Sequence, residues 1–193
     1  MHGLVNRSIQ CFLQDSFGAK VWREVALRAG LPEQGFEAML VYDDRLTTAM
    51  LAAACLRLER EEGGLLEDLG TFLVSHPSND WVRRLLRFGG GSFIDFLHSV
   101  DQLPERGRLA VPDLDLPVLE LEETTPGCFT LRCRHERQGF GHVMVGVLRA
   151  MADDYGALVL LDHASSGRDE EVITIEVAEA RFSEGRRFEL AAG

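Results

Sequence analysis

The sequence predicts an α+β fold: a helical N-terminal subdomain packed on a small antiparallel four-stranded sheet, with one long helix against it. Three observations predict this. Apolar residues recur at helical spacing through the first hundred residues. From Val118 the period changes to alternation, the mark of strands whose faces see different surroundings. One strongly amphipathic stretch, Val143 to Tyr155, then separates two pairs of strand-like runs. Helices first and strands later argue α+β. With 193 residues, 46% of them hydrophobic, the chain can bury one good-sized core. Residues 1–180 read as a single domain, 1–62 as the helical subdomain and 63–180 as pocket-forming helices and sheet. Residues 181–193 read as a tail, where Phe188 and Leu190 could extend an edge strand.

The first helix runs from Gly3 to Phe17, with Leu4, Val5, Ile9, Phe12, Leu13 and Phe17 near helical spacing. After Gly18, a stripe of Trp22, Val25, Ala26 and Ala29 ends at Gly30 and Pro32. Asp43-Asp44 can cap a helix over Thr47–Glu62. Gly63-Gly64 reads as a break before a helical run from Leu65 to Val74. Pro77-Ser78-Asn79-Asp80 is a turn and a helix start, and Trp81, Leu85 and Phe88 read as the apolar positions that follow. Ser92 caps a helix from Phe93 to Leu103, which Pro104 should end or kink because it lacks a backbone donor. The strands are Val118–Glu122 and Cys128–Arg134 around Gly127, then Leu158–Leu161 and Val172–Val177 around Ser165–Asp169. Gly156 closes the long helix, which offers Val143, Val147, Ala150, Met151 and Ala152 to the sheet.

Net charge is −11, from 31 acids against 20 bases. A nucleic-acid binder would usually carry a basic stripe, and an acidic surface disfavours anionic membranes. No apolar run is long enough to span a bilayer, and Met1–Asn6 lacks the basic-then-apolar pattern of a signal peptide. Of Cys11, Cys55, Cys128 and Cys133, only the last two lie close enough together to suggest a metal knuckle. Reduced thiols in a cytoplasmic protein are the expectation.

The most unusual stretch is Thr130–Phe140. Alternation puts Cys133, His135 and Arg137 on one face, with Leu131 sharing that parity. An inward face would bring a thiol, an imidazole and a permanent cation into a protected place; an outward one would be an ordinary polar strand. Cys133 and His135 do not read as a catalytic pair, since such pairs are normally drawn from distant parts of the chain. Gly89-Gly90-Gly91 lacks the Lys and Ser/Thr of a phosphate loop. The chain does not read as an enzyme. His2, His76, His142 and His163 read as surface residues.

Several strings, in this order and spacing, resemble the heme–nitric oxide/oxygen binding (H-NOX) domains. They are Met1-His2-Gly3-Leu4-Val5-Asn6, Phe17–Trp22, Tyr42-Asp43-Asp44, Leu66-Glu67-Asp68-Leu69-Gly70, Phe93–Leu97 running to Val100-Asp101-Gln102-Leu103, Arg137-Gln138-Gly139-Phe140, and Tyr155-Gly156. The family includes the sensor half of soluble guanylate cyclase and stand-alone bacterial gas sensors. The resemblance covers Met1 to about Val177 and implies heme as cofactor, nitric oxide or oxygen as signal, and a histidine kinase or diguanylate cyclase as partner. In the family a histidine that ligates heme iron follows the Leu-Asp-x-Leu string. Here Pro104 follows it, and the family's Pro-Gly-x turn matches Pro112-Asp113-Leu114 without a gap. The family's Tyr-x-Ser-x-Arg motif, which binds the heme propionates, falls on Cys133, His135 and Arg137. Only the arginine is kept, and it can still hold a carboxylate or phosphate.

Two readings follow. In the favoured one, the sensor fold persists but the usual His-ligated heme is gone, and the pocket takes another ligand or acts through protein contacts. Leu4, Val5, Phe72, Leu97 and Val100 would line it, although an ordinary core looks the same. In the other, heme is kept by a substitute ligand: His135, Cys133 or His98.

Overall fold

The computed structural model describes residues 1–167 and 169–178. The Phe188 and Leu190 strand extension lies outside them. Helix α1 (Gly3–Phe17) starts where His2 Nδ1 accepts the N–H of Leu4 at 3.2 Å. His2 is therefore a buried cap rather than a surface residue. Helix α2 (Ala19–Ala29) ends on left-handed Gly30, and α3 (Asp44–Leu58) begins at the Asp43 cap. Their apolar stripes, with Ile9, Phe12, Leu13, Trp22, Val25, Met50 and Leu51, close a first core over Leu65, Leu66, Leu69 and Phe72 of α4 (Glu62–Ser75). Gly63-Gly64 does not break the chain. It lies in the first turn of α4, where backbone N–H groups need no helical partner.

A second core lies between α5 (Asp80–Arg87), α6 (Phe93–Leu97), the sheet and α8 (Phe140–Tyr155). Helix α5 buries Leu86 and leaves Trp81 and Phe88 exposed, so its inward stripe is shifted by one residue from the expected one. The helix expected from Phe93 to Leu103 is three pieces. Helix α6 is closed by a Ser92–Asp95 capping box at its start, a short 3-10 turn follows at Val100–Gln102, and α7 (Leu103–Ala110) comes next. Pro104 starts α7 instead of ending a helix, because the first helical positions do not require its missing donor.

The four-stranded sheet has the order β1-β2-β4-β3, all neighbours antiparallel, with β1 Val118–Thr125, β2 Cys128–Arg134, β3 Val159–Ser165 and β4 Glu170–Val177. The register pairs Leu119 with Cys133, Leu131 with Ile173, and Phe129 with Ile175. These side chains form the inner face, against Val147, Leu148 and Met151 of α8. On the outer face Arg134 bridges Glu120 and Glu170 at 2.8 and 2.7 Å.

Helices α4 and α8 join the two cores, and Val143 packs against both. They approach backbone to backbone. A Cβ at Gly70 would collide with the Val143 carbonyl, and one at Gly146 with the Glu67 carbonyl. Thr71 Oγ1 donates to the Gly146 carbonyl at 3.3 Å across the same seam.

Candidate functional site

The polar line-up sits at the end of β2. Alternation carries Phe129, Leu131 and Cys133 inward and turns Arg134 out, as the strand period requires. The strand stops at Arg134. His135 still donates its N–H to the Asp169 carbonyl at 3.0 Å, and then the chain bends. His135 Nδ1 accepts the Arg137 N–H at 3.0 Å, its Nε2 lies 3.2 Å from Asp115 Oδ2, and its ring leans on Phe140. The Arg137 guanidinium donates to Thr48 Oγ1 at 3.1 Å. The three groups therefore part: Cys133 enters the second core, His135 holds a bend, and Arg137 reaches α3.

Burial, with a smaller push from the Glu171 carboxylate, raises the Cys133 thiol to about 12. A neutral buried thiol is a poor nucleophile. We expect Cys133 to resist alkylation at pH 8 in folded protein, while half-buried Cys11 and Cys128 react. Peptide mapping after a timed iodoacetamide pulse checks this, and early labelling of Cys133 counts against it. The sign of the linkage is also set. The thiol keeps its proton in the folded chain while the unfolded one loses it, so stability should fall as pH rises from 9.0 toward 12.

The remaining predicted residues are dispersed. Pro104, Leu97 and Val100 are buried, and the last two belong to the second core. Leu4 and Val5 are half-buried on α1, and Pro112 is exposed. His98 is exposed, 3.9 Å from Glu123 and edge-on to Phe129. Phe72 packs in the first core. A cavity of about 50 Å³ lies between the first core and the β2–α8 turn, lined by Val5, Ile9, Thr47, Leu66, Arg137, Phe140 and Val143 with their neighbours. Of the residues predicted to line a pocket only Val5 and Arg137 reach it, and neither histidine nor cysteine does.

One cluster escaped the sequence reading. His142 and His163, expected at the surface, are half-buried and meet the buried Glu171 beside the start of α8. The available signal was Glu171 itself, a carboxylate at an inward strand position two before Ile173 and four before Ile175.

Among the described residues no helix is long and apolar enough to cross a membrane. A family model described as Haem-NO-binding (HNOB) matches residues 2–163. Soluble guanylate cyclase 89Db of Drosophila melanogaster is 24% identical over 158 residues, covering 82% of this chain and 24% of that protein. Soluble guanylate cyclase gcy-31 of Caenorhabditis elegans is 25% identical over 154 residues, 80% of this chain and 22% of that one. The chain thus spans about a quarter of the length of these relatives. Among solved structures, the Fe(II)NO form of an H-NOX protein from S. oneidensis superposes with TM-score 0.76 at 15% identity, covering 93% of this chain and all of that one. A point mutant of the H-NOX protein from K. algicida, in its unliganded Fe(II) form, gives 0.78 at 18% identity, over 95% of this chain and all of that one. At these identities the superpositions speak to the fold, which is the H-NOX one.

Proposed function

The chain belongs to the Haem-NO-binding family, and from that we propose that it is a non-catalytic cytoplasmic sensor domain that no longer holds heme in the family's usual way. One observation carries the reading. The interior between the helical part and the sheet is filled by packed side chains, and the cavity left there is about 50 Å³. Pockets for ligands of drug size run to about 300–1,000 Å³.

The residues present do not fit heme. Pro104, at the position the resemblance assigns to the proximal ligand, has no lone pair to offer iron. His135 has both ring nitrogens engaged, by the Arg137 N–H and by Asp115. His98 is exposed beside Glu123. Cys133 is a buried neutral thiol. Arg137, the retained residue of the propionate motif, is turned to Thr48. In this reading the domain signals through contact with a partner such as a histidine kinase or diguanylate cyclase. The packing of α4 on α8, which links the two cores, is the joint such a partner would sense.

Hemin titration followed by visible absorption tests this. We expect no stoichiometric Soret band from the wild type, and none from Pro104→His, because restoring a ligand does not reopen the interior. A 1:1 Soret complex in the wild type overturns the proposal. A complex formed only by Pro104→His shows a pocket stripped of its ligand but not remodelled.

A further inference from the structure

His142 in the first turn of α8, His163 in β3 and Glu171 in β4 each offer one ligand atom, and these atoms lie within 4.8 Å of one another. Antiparallel pairing of β3 with β4 puts His163 opposite Ile173 on the inner face, diagonal to Glu171. Glu171 Oε2 accepts the N–H groups of Gly139 and Gly141 at 2.9 and 3.0 Å, and Oε1 stands 3.0 Å from His163 Nε2. The His142 and His163 rings lie 3.9 Å apart, and His142 Nδ1 is 3.3 Å from Glu67 Oε1.

Two glycines on different helices make room for the group. A Cβ at Gly141 would sit 2.8 Å from both His163 Nε2 and the Glu171 Cβ. A Cβ at Gly63 would sit 2.6 Å from His142 Cε1. The side chains of His142, His163 and Glu171 keep 28%, 14% and 6% of their exposure, so an ion can enter from the histidine side.

We propose that His142, His163 and Glu171 form a Zn²⁺ site that clamps the start of α8 to the β3–β4 pair. Two imidazoles and a carboxylate are a donor set zinc accepts, with water in the fourth position. Ligand atoms on a tetrahedron with bonds of about 2.0–2.1 Å stand about 3.3 Å apart. The His163 Nε2 to Glu171 Oε1 separation is already near that value, and the ion takes the place of the proton between them. With Nδ1 of His142 committed to Glu67, Nε2 is left as its metal ligand. This is the carboxylate–histidine–metal relay that orients metal-bound imidazoles. The stacked rings must fan apart for both lone pairs to converge, and the half-exposed His142 is the ring free to tilt. Glu67 belongs to α4, so the ion would couple both helices of the joint to the sheet.

The test is a Zn²⁺ titration of chelator-stripped protein against a competing chromophoric chelator. We expect one equivalent bound, weakened at least about a hundredfold by His142→Ala or His163→Ala. Glu67→Gln, a positioning change, should weaken it about ten- to a hundredfold. His142→Ala removes a half-exposed ring, so retained far-UV circular dichroism can be checked alongside the loss. Substitution with Co²⁺ reads the donor set and should give d–d bands without thiolate charge transfer. No saturable 1:1 binding, unchanged affinity in a folded His142→Ala, or a thiolate band each overturns the proposal.

Discussion

Gly146→Ala is expected to lower the melting temperature by roughly 6–12 °C, the counterpart of about 3 kcal/mol for a chain of this size. In an exposed helix the same change would stabilise, because alanine is the better helix former. Here the new methyl group meets the Glu67 carbonyl and the Thr71 amide of α4, which are backbone atoms and cannot swing aside. Either α8 moves off α4, opening both cores, or the helix distorts. Gly70→Ala should behave alike, since its Cβ would strike the Val143 carbonyl from the other side. Gly64→Ala is the internal control. It also lies in α4 but meets nothing within 4 Å, so a gain of about 0.5–1 kcal/mol is expected. Thermal melts of the three variants decide the matter, and equal effects at positions 64 and 146 would sink the account.

Glu171→Ala should cost about 3 kcal/mol, measured in the absence of metal by urea unfolding. The carboxylate answers three donors at once: the N–H groups of Gly139 and Gly141 and the ring of His163. Leaving buried donors unpaired costs roughly 1–3 kcal/mol each, and solvent entering the gap recovers part of that. Glu171→Gln keeps the shape and one oxygen acceptor and should cost about half as much. A Gln variant as stable as the wild type, beside a destabilised Ala variant, would mean that side-chain volume, not the paired carboxylate, is what the position supplies. Hydrogen exchange at the Gly141 amide gives an independent view, because that N–H should lose protection first.

The architecture was legible because its signals are local. The bounds of α1 at Gly3–Phe17 follow from apolar spacing and a glycine stop, and the parity of Leu131 and Cys133 follows from strand geometry. Two of the misreadings share one physical cause. Gly63-Gly64 and Pro104 disrupt helices only where interior hydrogen bonds are needed, and both stand in a first turn. In α5 two stripes satisfied the helical period, and only packing against α4 and α8 selects Leu86 over Trp81 and Phe88. At the candidate site, alternation was carried past Arg134, where the strand ends, so His135 and Arg137 were given a face they do not share with Cys133. The cluster of His142, His163 and Glu171 joins three elements and has no sequence spacing to betray it. Glu171 among inward isoleucines was the single cue.

Strand β1 is an outer strand of the described sheet, so one row of its peptide groups faces away from β2. Such a row is a template on which another chain can add a strand and begin an aggregate. Glu120, Glu122 and Glu123 stand on β1, all exposed, and the strand bulges between Glu123 and Thr125. A second copy approaching in either direction would set glutamates against glutamates, and the bulge would spoil its register. The acid-rich, bulged strand is therefore a poor template for a neighbouring molecule, although Glu120 and Glu122 also pair with Arg134 and Arg132 of β2.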